Sequence, residues 1–236
     1  MTRNTVTRTS NKLVKAFGKT YDMYIVPAKK QTDRVSKGRG SGGLVTMFKK
    51  HLTKYVSQVK CENYRIQGTK FVFTNCDLLI VNCYLPCDPQ VAEHDYTELH
   101  RTLEDIRILI EKAECDSLLL CGDWNTHFPR NTAHVQIVQN FIENLGVTVF
   151  WSNPDDDPQH LIHNVDFTHT TVRNDRMFTS TVDHFMGSTQ VYNCVTEAGV
   201  VHSVDNFSDH CPVYAKLGIG GIDLSLESVE QRRVPK

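Results

Sequence analysis

Apolar and polar positions fall into short runs separated by turn-forming residues, the signature of many strands and few helices. YDMYIVPA from Tyr21, LVTMFKKHL from Leu44, Glu62 to Gly68 and Lys70 to Tyr84 each predict a strand. Pro86, Asp88 and Pro89 break the last run, and GRGSGG makes a turn before Leu44. Between Asp95 and Glu114 the apolar residues Tyr96, Leu99, Leu103, Ile106, Ile110 and Ala113 recur at alternating steps of three and four. That spacing puts them on one stripe of a helix. SLLLCGDWN then reads as a buried strand with a polar tip. A second helix is predicted from Ala133 to Leu145, burying Val138, Phe141, Ile142 and Leu145 and stopping at Gly146. VTVFW, VDFTHT, TVDHFMGS, VYNCVTEAG and CPVYAKL complete the set of strands. Strands that outnumber two interspersed helices predict an α/β fold: a four-layer sandwich of two packed mixed β-sheets flanked by helices.

The 236 residues suffice for one sizeable core, and no repeat or linker divides them. Residues 1–20 are expected to be a poorly ordered basic segment, 21–217 the domain, and 218–236 a tail. No run approaches the roughly 18 apolar residues of a membrane span, so no membrane partner is expected. The first twenty residues lack an apolar core for a secretory signal, although their freedom from acids also fits a mitochondrial transit peptide. An intracellular protein, nuclear or cytoplasmic, is the expectation.

Charge adds something that the net value of −1 conceals. Residues 1–60 hold 14 Lys and Arg against only Asp22 and Asp33, and the remainder carries 12 basic and 25 acidic residues. A basic segment on an acidic body suits a surface that meets a polyanion, although a solvated lysine face would have the same composition. The eight cysteines form no C-x-x-C and no zinc spacing, and they read as reduced thiols, several of them in strands.

Three polar clusters stand at strand ends. In Cys121-Gly122-Asp123-Trp124-Asn125, strand alternation places Asp123 and Asn125 on one face with Trp124 on the other. A carboxylate beside an amide can position a water and hydrogen-bond a phosphate oxygen. In Thr181-Val182-Asp183-His184-Phe185, Asp183 sits within a β-prone run, where a carboxylate is costly unless paired. In Ser208-Asp209-His210-Cys211-Pro212, an imidazole and a carboxylate precede the last apolar strand. Histidine is the side chain best suited to proton transfer near neutral pH. Each cluster alone could equally be a turn or an exposed loop.

Taken together and in this order, they resemble the endonuclease/exonuclease/phosphatase family. Its marks are a Y-x-P after a central strand, a G-D-x-N, an Asp opening a D-[YHF]-hydrophobic strand, and a terminal S-D-H-x-P-[VI]. Here these read YLP, GDWN, VDHFMGS and SDHCPV, and GRGSGGLVTMF is similar to the family's R-G-x-G-G strand. The resemblance spans about residues 20–217 and lies nearest to the endonuclease domains of non-LTR (LINE-type) retrotransposons. It implies a DNase I-like fold and Mg²⁺- or Mn²⁺-dependent phosphodiester hydrolysis, with DNA as the partner. By the same resemblance, His210 contacts the scissile phosphate and is oriented by Asp183. Asp123 positions the attacking water, Asn125 and Tyr84 hydrogen-bond the phosphate, and Asp209 helps hold the metal. Cys87 stands where repair-type relatives have an Asn after Y-x-P, a departure that removes one phosphate contact.

The family also opens with a strand carrying an Asn and a second ending in Q-E-[TH]-W, whose Glu is the principal metal ligand. The first Glu here is Glu62, well inside the later strands, so neither residue is assigned. The expectation is a chain whose first strands are missing and whose nicking activity is impaired. Two alternatives stand beside it: a non-catalytic remnant or nucleic-acid-binding module, and a phosphoester hydrolase acting on a lipid or small molecule.

Overall fold

The structure, a computed structural model, describes residues 11–29, 42–74, 76–88, 95–151, 162–163, 165–203 and 205–218. Its centre is a six-stranded sheet ordered β3-β4-β5-β6-β11-β7. Those strands are β3 (Val56–Val59), β4 (Ile66–Val72), β5 (Asp77–Tyr84), β6 (Ser117–Asp123), β11 (Asp183–Ser188) and β7 (Val147–Val149). Strands β5 and β6 run parallel, joined by the crossover helix α1 (Thr97–Ala113), and β11 pairs antiparallel with β6.

Alternation along β5 and β6 explains the layers. Leu79, Val81, Cys83, Leu118 and Leu120 face α1 and α2 (Ala133–Leu145), meeting Leu99, Leu103, Ile106, Val138 and Ile142 in one core. Leu78 and Leu119 point the other way, into a second core with Phe150, Trp151 and Ala198. That side is covered by β12 (Val195–Val200), β13 (Val213–Leu217) and β8 (Ile162–His163), a sheet ordered β13-β12-β8. A separate antiparallel pair, β1 (Tyr21–Val26) and β2 (Leu44–Lys49), lies over β4 through Phe48 and Phe71, whose ring centroids are 6.5 Å apart. Thr46 on β2 also hydrogen-bonds Gln67 on β4. The hairpin of β9 (His169–Arg173) and β10 (Arg176–Ser180) stands apart as its own two-stranded sheet. Two cores on opposite faces of one central sheet are the α/β sandwich expected from the strand-rich pattern. Each fully buried Leu or Ile contributes roughly 1.5–3 kcal/mol by leaving water.

The helices form where the periodicity predicts them. Along α1, however, the buried stripe includes Thr102 and Leu109, with Ile110 only partly covered. On α2 the innermost residues are His134, Val135, Val138 and Ile142, while Phe141 and Leu145 are partly buried at the margin. Thr132 caps α2 by accepting from the Val135 amide, and Gly146 ends it with φ 64°. Four local expectations need correction. The break between the first two long central strands falls at 73–76, so β4 runs to Val72 and the second strand begins at Asp77. The residues after Lys49 form a 3₁₀ turn, Lys50–Tyr55, not more strand. Thr189–Tyr192 is one helical turn, α3, before β12 begins at Val195. Residues 11–17, in the basic segment, are helical. All eight cysteines are free thiols, but only Cys83 is fully buried and Cys87 is exposed. Residues 1–10 and 219–236, parts of the expected basic segment and tail, lie outside the described residues.

Candidate active site

Cross-strand register builds the floor of the site. Tyr84 on β5 is the direct partner of Asp123 on β6, and Asp123 is the partner of Asp183 on β11. Neighbouring strands lie about 4.8 Å apart, so the three side chains form a row spanning about 10 Å. They stand at the C-terminal ends of two parallel strands and the start of an antiparallel one. Gly122 makes the close approach possible. Its φ is +121°, and a Cβ there would lie 2.1 Å from the Cys83 carbonyl oxygen. Only glycine fits both the space and the conformation.

Beyond Asp123 the strand ends, so alternation does not place Asn125. Its φ of 49° turns the chain in the left-handed region, where Asn is among the better-tolerated residues. The Asn125 amide N–H donates to Asp123 Oδ1 at 3.0 Å. Its side-chain Nδ2 donates to the Leu85 carbonyl at 2.8 Å, and the Cys87 thiol donates to its Oδ1 at 3.3 Å. Cys87 therefore orients the Asn125 amide. Trp124 does point away, fully buried in the helix-side core.

The fourth wall comes from the segment before β13. His210 Nδ1 is 2.9 Å from Asp183 Oδ2, joining two of the polar clusters. The segment is locked to β9 by backbone bonds, Thr170 N–H to the Asp209 carbonyl at 2.8 Å and Cys211 N–H to the Thr168 carbonyl at 2.7 Å. Ser208 Oγ accepts from the His210 amide at 3.1 Å, and Asn206 Nδ2 donates to the His210 carbonyl at 2.7 Å. Thr168 is fully buried and its Oγ1 accepts from the amides of Val182 and Asp183, at 2.9 and 3.1 Å, fixing the start of β11.

Electrostatics follow from this crowding. Burial, with the Asp183 carboxylate beside it, pushes Asp123 up to about 6. The hydrogen bond to Asp183 raises His210 above the ordinary imidazole value against an opposing effect of burial. Burial raises the Tyr84 phenol, keeping it a hydrogen-bond donor at neutral pH. Asp123, Asp183 and His210 each bring a ligand atom within 4.8 Å of the others, and so do His169, Asp209 and His210. Asp123 and Asp183 with His210, and Asp209 with the two histidines, are thus two overlapping groups that could hold a divalent cation.

All six residues singled out in the sequence converge here except in degree: Asp209 projects into solvent, with its side chain 72 % exposed. Three further residues belong to the site without a sequence signal of their own. His169 forms an isolated β-bridge with His210, their ring centroids 4.6 Å apart. Thr168 precedes it, and both lie in a stretch whose only pattern is the strand-like VDFTHT. Arg65 is buried beneath Tyr84, its Nη1 donating to the Tyr84 carbonyl at 3.2 Å and its Nε paired with Glu98 at 3.0 Å. An arginine opening a strand gives no hint of this.

The chain has a DNase I-like fold and belongs to the endonuclease/exonuclease/phosphatase family, whose model matches residues 6–210. The endonuclease domain of TRAS1, a telomere-specific non-LTR retrotransposon, superposes with a TM-score of 0.59 at 13 % identity, covering 91 % of this chain and 93 % of that one. The AP endonuclease LMAP from Leishmania major gives 0.60 at 13 % identity, covering 83 % and 70 %. A 3′ phosphatase from Neisseria, bound to a product DNA hairpin, gives 0.58 at 14 %, covering 91 % and 95 %. At these identities the likeness is one of fold. No curated protein matches the chain by sequence. Among the described residues no helix is long and apolar enough to cross a membrane.

Proposed function

We propose that this chain is a divalent-metal-dependent phosphodiesterase that nicks DNA, in the manner of a retrotransposon-type endonuclease domain. The observation that carries the reading is the 2.9 Å pair of His210 and Asp183 set against Asp123 and Tyr84 on neighbouring strands. Asp183 holds His210 Nδ1, which directs Nε2 at the reacting phosphate. Asp123, with its acidity shifted toward neutral, positions the attacking water and receives its proton. Asn125 Nδ2, one hydrogen given to Leu85, and the Tyr84 hydroxyl bind non-bridging phosphate oxygens. A Mg²⁺ or Mn²⁺ held by Asp209 and the neighbouring carboxylates would offset charge on the phosphoryl group.

DNA is favoured over a small phosphoester by the β9–β10 hairpin. Its turn, Asn174-Asp175, has both residues at positive φ, the signature of a tight hairpin. Val172, Met177 and Phe178 are exposed on it, with Arg173 and Arg176 flanking the turn, and its base is His169 beside His210. An apolar and cationic projection at the rim of the site suits a groove lined by phosphates.

The test is nicking of supercoiled plasmid in Mg²⁺ and in EDTA, beside His210→Ala and alongside phosphocholine lipid and nitrophenyl phosphodiester substrates. Metal-dependent nicking lost in the variant supports the reading. Hydrolysis of the small substrates without nicking would move the assignment to them. Plasmid binding by folded protein with no hydrolysis of anything would make it a binding module.

A further inference from the structure

Beside the carboxylate row lies a second cluster of different chemistry. His169, Asp209 and His210 place one ligand atom each within 4.8 Å of the others, and His169 Nε2 is 4.0 Å from Asp209 Oδ2. Each imidazole is already held from behind. His210 Nδ1 is bonded to Asp183 at 2.9 Å, and His169 Nδ1 lies 3.3 Å from Ser180 Oγ. Both rings therefore keep Nε2 for a ligand. A polar partner on the far nitrogen fixes tautomer and orientation, the arrangement that metal-binding histidines require.

The donor set chooses the ion. Two imidazoles and one carboxylate suit Zn²⁺ or a similar borderline ion, whereas Mg²⁺ prefers oxygen alone. Tetrahedral bonds of about 2.0–2.2 Å put ligand atoms roughly 3.4 Å apart. His169 Nε2 and Asp209 Oδ2, 4.0 Å apart, close to that by rotation of Asp209, the most exposed of the three at 72 %. A β-bridge holds the two histidine backbones together and each ring is held by its Nδ1 partner, so little ordering is left for binding to cost.

We propose that His169, Asp209 and His210 form a Zn²⁺ site that switches the enzyme off. The ion takes His210 Nε2, the atom the phosphate needs, so occupancy and hydrolysis exclude one another. Regulation thus rests on the catalytic role given to His210 above, while binding does not depend on it.

Binding is read first, in the whole chain, by competing Zn²⁺ between the protein and a chromophoric chelator, and by the visible spectrum of the Co²⁺ form. One site is expected, weakened at least tenfold in His169→Ala and, separately, in Asp209→Asn, with cobalt bands lacking thiolate charge transfer. Unchanged affinity in both variants, or a thiolate-type cobalt spectrum, overturns the site. Circular dichroism of each variant establishes folding, which Asp209→Asn, at a solvent-exposed side chain, should leave intact. In the Mg²⁺ nicking assay, Zn²⁺ should inhibit the wild type, and inhibition relative to each protein's own zinc-free rate should need at least tenfold more Zn²⁺ in His169→Ala. Binding without inhibition overturns the switch. A wild type that binds Zn²⁺ yet never nicks refutes the proposed function and the switch, and leaves the site standing.

Discussion

Replacing Asp123 by Asn should make the metal-free protein more stable while stopping its chemistry. In the folded chain the Asp123 carboxyl is pushed up to about 6 by burial and by Asp183 beside it, against roughly 3.9 in an unfolded chain. The folded state therefore holds its proton more tightly than the unfolded state does. Stability is full below pH 4 on this account and declines as pH rises from about 4 to 6, where only the unfolded carboxyl ionises freely. A carboxyl held that far above its unfolded value costs the folded state as much as about 3 kcal/mol at pH 8. Asn has the same shape, stays neutral, and its amide oxygen can still accept the Asn125 N–H. Urea unfolding in EDTA, followed by far-ultraviolet circular dichroism at pH 4, 6 and 8, measures the effect. The variant should match wild type at pH 4 and exceed it by up to about 3 kcal/mol at pH 8. A variant no more stable at pH 8, or a gap that fails to shrink toward pH 4, would refute the reasoning.

Other perturbations have equally definite outcomes. Asp183→Asn should lower plasmid nicking by about 10²–10⁴-fold, since His210 loses the carboxylate that sets its tautomer; an unaltered rate would remove His210 from the mechanism. Gly122→Ala should cost more than about 4 kcal/mol or prevent folding, because its Cβ meets a carbonyl oxygen at 2.1 Å; soluble protein with a wild-type urea midpoint would contradict the packing. Thr168→Val removes the acceptor shared by two buried amides and should destabilise by about 2–3 kcal/mol in the same titration, with nicking falling alongside. His184, held neutral at about 4 mainly by burial, accepts from Trp151 and meets the Thr126 carbonyl. Its contribution to stability is lost as pH falls from about 6.5 toward 4, by about 3 kcal/mol, and His184→Gln should lack that decline.

The sequence is most informative where one period governs a whole element. Helix α2 spans the residues its apolar spacing predicts, and β6 and β11 carry Asp123 and Asp183 where the runs SLLL and TVDHFMGS put them. Register between strands is a tertiary property, so the row from Tyr84 to Asp183 is invisible to local patterns. The family resemblance brings its members together without the geometry. Asn125 shows the limit of alternation, since a left-handed residue takes it out of the strand to which alternation would assign it. Arg65, Thr168 and His169 escape a reading of the sequence because each acts through a partner far along the chain. Arg65 reaches Tyr84 and Glu98, and Thr168 reaches Asp183; no local pattern encodes such contacts.

The hairpin and the histidine loop share more than proximity. Two backbone hydrogen bonds, from Thr170 to Asp209 and from Cys211 to Thr168, clasp the base of β9 around the residues on either side of His210. Mechanically this is a lever with its fulcrum at the His210 imidazole. A load applied at Val172 or Phe178 is borne at the His210–Asp183 pair, so displacement of the tip and alignment at the centre are one variable.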